Sequence, residues 1–315
     1  MIEIKNEYKV IVLMATFNGA EWIGQQIKSI ICQEGVSLDF NIADDCSNDG
    51  TEEIARKLLY GREGSILKVN DVPSGSAGAN FKHLFTSANV DDYDFVVLSD
   101  QDDIWLPNKL LHAINCMELG GADGYSCAVE SFWPDGRTKI LWQSPIIRSS
   151  DQLFEGAGQG CTFVLRKSFF KEVQLFCASH STDIDEFHYH DWLVYLLARA
   201  WSKIWFFDPI PMIRYRQHES NEIGSRGGLK AIQRRLELIR NGWYCAQICA
   251  ASRIYVLANG TDPTTLNLCQ KFSHANVNFR ALGQRLILSI QVYRHSRRKF
   301  VDRLVVTVGV LLGRI

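Results

Sequence analysis

The residues best suited to chemistry are three carboxylates in a single turn, Asp100, Asp102 and Asp103, within Leu98-Ser99-Asp100-Gln101-Asp102-Asp103-Ile104-Trp105. An Asp-x-Asp pair offers closely spaced hard oxygen donors, which suit Mg2+ or Mn2+ carrying a phosphate substrate. The same spacing occurs in solvated acidic turns, so position has to decide. These carboxylates follow at once on Phe95-Val96-Val97-Leu98, an apolar run that reads as a buried strand of a parallel sheet. Open α/β sheets bind their ligands at the carboxyl ends of such strands. Three further features fall at predicted strand ends: Thr16 and Asn18, Asp44 and Asp45, and the Gly-rich loop from Ser74 to Asn80. Carboxylates placed there suit the base and ribose of a nucleotide. No Gly-x-Gly-x-x-Gly follows the first strand and no Gly-x-x-x-x-Gly-Lys-Ser/Thr occurs, which disfavours a dinucleotide enzyme and a P-loop NTPase. A metal-dependent nucleotide enzyme is the leading class.

The elements that must position these residues alternate. Val10–Ala15 reads as a strand, Ala20–Cys32 as a helix with Trp22, Ile23, Ile27, Ile30 and Ile31 inward, and Phe40–Ala43 as a second strand. Ser47-Asn48-Asp49-Gly50-Thr51 combines turn and capping chemistry and opens a helix through Leu59. A strand over Ile66–Val69, a helix to about Ser87, the Phe95–Leu98 strand and a helix opened by Pro107 complete a β-α-β-α-β-α-β series. Such alternation implies a parallel sheet with helices on both faces. Beyond Gly120 the pattern changes to a hairpin (Tyr125–Glu130 and Thr138–Gln143), a strand at Thr162–Leu165, a helix at Asp191–Ala200, and short strands at Ile204–Phe207 and Met212–Tyr215. From Gly228 onward the chain reads as mostly helical, with a break near Asn259–Pro263.

Three ordered segments carry a resemblance. Val12–Asn18, Asp44–Thr51 and Ser99–Asp103 are similar to the signature segments of the family-2 inverting glycosyltransferases, in that family's order and spacing. Leu98–Trp105 with Pro107 and Lys109-Leu110, and Tyr215–Asn221, resemble its bacterial rhamnosyltransferase branch. The resemblance spans about residues 8–225. It implies a GT-A nucleotide-diphospho-sugar transferase fold, a mainly parallel central sheet flanked by helices, over residues 1–225, with 226–315 as a C-terminal helical extension. It implies that Thr16, Asn18, Asp44, Asp45, Asn80, Asp100 and Gln101 line the nucleotide pocket, and that Asp102 holds a Mg2+ or Mn2+ ion with His218 as a further ligand. Asp191 is implied as the catalytic base, although His190-Asp191 stands where the family more often has Glu-Asp. Trp105, Gly158, Gly160 and His190 are candidates for the acceptor side. The expected reaction moves L-rhamnose from dTDP-rhamnose onto a lipid-linked oligosaccharide in O-antigen or capsule assembly. The rival readings are a nucleotidyltransferase of related fold and a non-catalytic sugar-nucleotide-binding protein.

Composition sets the surroundings. The 315 residues are 46% hydrophobic and 22% charged, ordinary for a folded domain. The net charge of -1 conceals an asymmetry: residues 226–315 carry 15 Lys+Arg against 3 Asp+Glu, and residues 1–225 carry 19 against 32. A basic tail on an acidic body predicts an anionic partner. Phe279, Leu282, Leu286, Ile290 and Tyr293 share one helical face, with Arg280, Arg285, Arg294, Arg297 and Arg298 elsewhere around it. An anionic membrane surface is therefore expected, with packing on the catalytic domain or a homo-oligomer contact as the plainer alternatives. Nucleic acid is not expected, because no recognition motif accompanies the charge. Nine scattered cysteines without a Cys-x-x-Cys pair fit a reducing cytosol. With no signal peptide and no long apolar segment, the expected location is cytoplasmic, peripheral on the inner face of the bacterial plasma membrane.

Overall fold

The computed structural model describes residues 7–142, 144–218, 237–273 and 282–315. Gln143 of the expected hairpin, Glu219–Asn221 of the expected motif, Phe279 and Arg280 of the expected stripe, and the segment around the expected 225/226 boundary lie outside the described residues. The chain forms two compact units. The first comprises residues 1–143, 157–179 and 203–222, and the second 144–156, 180–202 and 223–315.

The first unit is built on a nine-stranded sheet. Its strands are β1 (Tyr8–Thr16), β2 (Val36–Asp44), β3 (Ile66–Val69), β4 (Phe95–Ser99), β5 (Ile104–Trp105), β6 (Gly124–Phe132), β7 (Thr138–Leu141), β8 (Val164–Arg166) and β9 (Trp205–Arg216). The order is β3-β2-β1-β4-β8-β6-β9-β5, with β7 paired to β6. Strands β3, β2, β1 and β4 are mutually parallel. Val10 to Ala15 are buried on both faces, as a central parallel strand requires. Beyond β4 the sheet is mixed: β8 runs antiparallel to β4 and β6, and β9 is parallel to β6 but antiparallel to β5. The expected parallel core is present, and the sheet goes on past it in a direction that alternation could not show.

Helices α1 (Ile23–Ile31), α2 (Thr51–Leu59), α3 (Ala77–Ser87), α4 (Lys109–Gly120) and α5 (Lys167–Ser179) flank the sheet. Ser76 caps α3, its Oγ accepting from the Ala79 N–H at 3.1 Å. Gly121, in the left-handed region at φ 58°, ends α4. Two expectations change here. The two short strands predicted across 204–215 are one bent strand, β9, whose register against β6 slips around Cys127 and Ala128 opposite Asp208 to Ile213. Pro209 and Pro211, which lack N–H donors, sit at that slip, where the ladder needs none. Trp22 does not point inward with Ile23 and Ile27. It precedes α1 half-exposed and stacks on His218.

The second unit is helical: α6 (Ser181–Asp185), α7 (His190–Ala200), α8 (Trp243–Leu257), α9 (Pro263–Ser273), α10 (Leu282–His295) and α11 (Phe300–Leu311). Its core is tied by buried charge. Asp151 accepts from Arg199 at 2.6 Å and from the Tyr195 hydroxyl at 3.1 Å. Glu155 accepts from the backbone N–H and Nε of Arg298 at 2.6 and 3.0 Å, and Arg297 approaches it at 3.5 Å. Arg297 and Arg298, read from the sequence only as basic residues around the apolar stripe, are thus turned onto these acids. Two buried acids, Asp151 and Glu155, need counterions, and the chain turns inward after His295 to supply them. Among the described residues no helix is long and apolar enough to cross a membrane.

Candidate functional site

Register brings the first unit's polar residues together. Thr16 pairs with Asp44 across β1 and β2, and Met14 pairs with Ser99 across β1 and β4, so three strand ends align. Asp44 is buried and saturated: its Oδ2 accepts from Thr16 Oγ1 and Ser47 Oγ at 2.7 Å each, and its Oδ1 accepts from the Ser47 N–H at 2.8 Å. The Asp44 carboxylate thus fixes the loop that begins at Asp45. Asp45 Oδ1 accepts from Ser74 N–H at 2.6 Å and Asn70 Nδ2 at 2.9 Å, and its Oδ2 accepts from Gly75 N–H at 3.3 Å. Burial works against its charge, but the bonds from Ser74, Asn70 and Gly75 outweigh it and hold the carboxyl below the usual range. Asn80 is committed likewise, donating to the Ala43 carbonyl at 2.9 Å and accepting from Asn70.

Asn18 takes the left-handed conformation at φ 46° and donates its N–H to Ser47 Oγ, while its Oδ1 accepts from Asn48 N–H at 3.0 Å. Gln101 clamps the same loop with two bonds to the Phe17 backbone, each of 2.9 Å. A β-carbon at Gly19 would collide with the Gln101 amide, so glycine is what lets the clamp close. The loops after β1 and β4 are therefore locked to one another.

The acidic turn has an orienting frame of its own. Asp102 Oδ2 lies 2.7 Å from His218 Nε2, and the His218 ring stacks on Trp22 with centroids 4.0 Å apart. Arg216 donates from Nε to the Asp102 carbonyl at 2.8 Å, from its N–H to Asp103 Oδ1 at 3.1 Å, and from its guanidinium to Gln25 Oε1 at 2.6 Å. This frame forms because β9 runs antiparallel to β5, placing Arg214 opposite Ile104 and the end of β9 against the turn. Asp103 is buried. Its carboxyl is pushed well above the usual range by burial first, and then by Asp102 and Asp100. Asp100, Asp103 and Cys161 present ligand atoms within 4.8 Å of one another. Burial also pushes the Cys161 thiol well up. Asp102 and His218 offer one carboxylate oxygen and one imidazole nitrogen, donor types that Mn2+ or Mg2+ accepts, and the Asp100–Asp103–Cys161 cluster includes neither of them.

The remaining candidates are placed as follows. Trp105, a candidate for the acceptor side, is in the core at 2% exposure, with the Lys109 ammonium 3.5 Å above its ring. Its neighbour Ile104 is the more exposed residue of a two-residue strand, so alternation turns Trp105 inward. Gly158, in the first unit, has φ 126°, a conformation side chains rarely adopt, and Gly160 opens a 3-10 turn through Thr162. His190 and Asp191 begin α7 in the second unit. His190 is buried, and half-buried Asp191 accepts from Trp192 N–H at 2.7 Å. A carboxylate in a first helical turn is favoured by the helix dipole. Residue patterns missed Gln25 and Asn70, which gave no signal. Ser74 lay in the Gly-rich 74–80 loop and Arg216 inside the 215–221 motif, while Trp22 was read as an inward residue.

The model of the glycosyl transferase family 2 matches residues 11–173. The dTDP-rhamnosyl transferase RfbG of Shigella flexneri is 37% identical over 239 residues, 75% of this chain and 82% of its own length. The Escherichia coli UDP-Glc:alpha-D-GlcNAc-diphosphoundecaprenol beta-1,3-glucosyltransferase WfgD is 30% identical over 113 residues, 36% of this chain and 42% of its own. Among solved structures, S. aureus TarS 1-349 in complex with UDP-GlcNAc is similar at a TM-score of 0.57 and 15% identity, over 96% of this chain and 81% of that one. The mannosyltransferase PcManGT from Pyrobaculum calidifontis, in complex with GDP-Man and Mn2+, gives 0.52 and 14% over 98% and 86%. The structural likenesses bear out the GT-A glycosyltransferase fold. The chain belongs to glycosyl transferase family 2, and it is a glycosyltransferase.

Proposed function

We propose that this glycosyltransferase is an inverting rhamnosyltransferase that takes L-rhamnose from dTDP-rhamnose. The acceptor is a lipid-linked oligosaccharide, built at the inner face of a bacterial plasma membrane during O-antigen or capsule assembly. The observation that carries the donor is the 37% identity to a dTDP-rhamnosyl transferase over 82% of that protein's length. The β1, β2 and β4 strand ends are read as the nucleotide pocket, with Thr16, Asn18, Asp44, Asp45, Asn80, Asp100 and Gln101 shaping it directly or through the loops they fix. Asp102 and His218 would hold Mg2+ or Mn2+, which supplies charge stabilisation for the departing diphosphate.

Asp191 is read as the base that removes the acceptor hydroxyl proton. The acceptor oxygen bonds to the anomeric carbon as the bond to the diphosphate breaks on the opposite face, inverting the configuration. The domain reading is a catalytic region of about 1–225 and a basic helical region of 226–315.

A donor panel tests the proposal: dTDP-rhamnose, UDP-glucose, UDP-GlcNAc and GDP-mannose, each with Mn2+, Mg2+ or a chelator, scored for binding and sugar release. Binding of dTDP-rhamnose above the others is expected. A different preferred donor would sink the rhamnose reading and leave the family untouched. Release unaffected by chelation would remove the metal.

A further inference from the structure

Helices α10 and α11 pack against one another in the second unit. A helix on the outside of a folded unit normally shows solvent a polar face. In α11 the exposed residues are Phe300, Val301, Leu304 and Val308, and Leu312 follows at its end, all between 39 and 64% exposed. The polar side is inverted as well: Arg303 is buried, its guanidinium 5.0 Å from the Tyr293 ring and 5.6 Å from the Phe300 ring. In α10, Leu282, Leu286, Ile290 and Tyr293 recur at helical spacing and are exposed, with Ile287 beside them. The sequence pattern pointed to the α10 stripe but not to α11, whose apolar side chains read equally well as core.

Charge selects what covers these side chains. Residues 282–315 hold seven Lys+Arg and one acid, Asp302. Arg297 and Arg298 are turned onto Glu155 and Arg303 is buried, which leaves Arg285, Arg294, Lys299 and Arg314 to face a partner. Arg294, Lys299 and Arg314 are exposed among the apolar side chains. A second copy of the chain would set cations against cations, which an interface disfavours. An anionic bilayer surface offers acyl chains to the apolar residues and phosphates to the cations. The twelve residues of α11 span only about 18 Å, well short of the ~30 Å hydrocarbon layer, so the helix lies along the interface and does not cross it.

We infer that the α10–α11 pair is an in-plane docking surface for anionic membrane lipids. It deepens the reading of a lipid-linked acceptor by naming the surface that brings the enzyme to the bilayer.

Vesicle flotation tests this with the full chain. The protein should float with phosphatidylglycerol-containing vesicles, less so with pure phosphatidylcholine, and less again as salt is raised. Leu304→Glu and Val308→Glu change exposed positions. Each should weaken association about tenfold, and the pair more, with the melting temperature unchanged. Flotation needs neither donor nor acceptor, so a failed donor panel leaves this result standing, and a failed flotation leaves the panel standing. Absence of flotation at low salt, or flotation that the double substitution leaves unchanged, overturns the inference. So does light scattering that shows a dimer split by the double substitution while neither protein floats, which would assign the surface to a second copy.

Discussion

Asp102 and His218, 116 positions apart, stand with Oδ2 and Nε2 2.7 Å from one another. Trp22 holds the imidazole by stacking, and Arg216 holds the Asp102 backbone. The pair acts as one unit. Asp102→Asn and His218→Gln should each lower Mn2+ affinity and turnover by roughly ten- to a hundredfold, and together by less than the product. Mn2+ titration of both single variants and the double variant measures the coupling.

The clamp between Gln101 and the Phe17 backbone makes a compensation prediction. Gly19→Ala puts its methyl on the far end of the Gln101 side chain, which swings aside and gives up its two bonds to Phe17, so the variant should lose about 1 kcal/mol of stability and raise the KM for donor. Adding Gln101→Ala removes the collision, so the double variant should be no less stable than Gln101→Ala alone. Denaturant unfolding of the four proteins closes the cycle.

Asp45 gives a pH prediction with a definite sign. Its folded-state value lies below the ordinary 3.8, so its contribution is present above about pH 4 and is lost as pH falls through the depressed value. Asp45→Asn should lower the melting temperature at neutral pH, and the gap to the parent should close on acidification below pH 4. A gap independent of pH would remove the charge from the explanation.

Lys109 gives a second pH prediction, in which the substitution acts with the opposite sign. Its ammonium is buried above Trp105 with no hydrogen-bond acceptor among the described residues, and burial lowers its value from 10.5 to about 8. The charged form is disfavoured in the folded state, so the cost is full below pH 8 and fades as pH rises towards 10.5. Lys109→Met should therefore raise the melting temperature at pH 7, by an amount that shrinks between pH 8 and 10.5. Melting curves across that range decide it.

Asp191→Asn should leave donor binding intact and reduce transfer by roughly 10²- to 10⁴-fold, the usual contribution of a general base. Calorimetric donor binding alongside turnover separates the two effects. Full transfer by this variant would move the base elsewhere.

How much of this was legible differs from residue to residue. The apolar runs at 10–15 and 95–98 gave their strands because a parallel strand covered on both faces has no other composition open to it. The polar residues just after them gave the candidate nucleotide loops for the same reason: the strand ends where the apolar run ends. The three family segments were readable because each lies within a few consecutive residues.

The sequence by itself thus determined the parallel core, the places of its strand-end loops and the family. The resemblance had put Asp102 and His218 on one site, and the tertiary structure decided how they and the other distant residues meet. Only the antiparallel return of β9 beside β5 brought His218 and Arg216 to Asp102. Only folding shows Trp105 buried in the core and sets Arg298 against Asp151 and Glu155. The exposed apolar side chains of α11 were likewise undecided until folding, because periodicity shows which residues share a face and not which way that face turns.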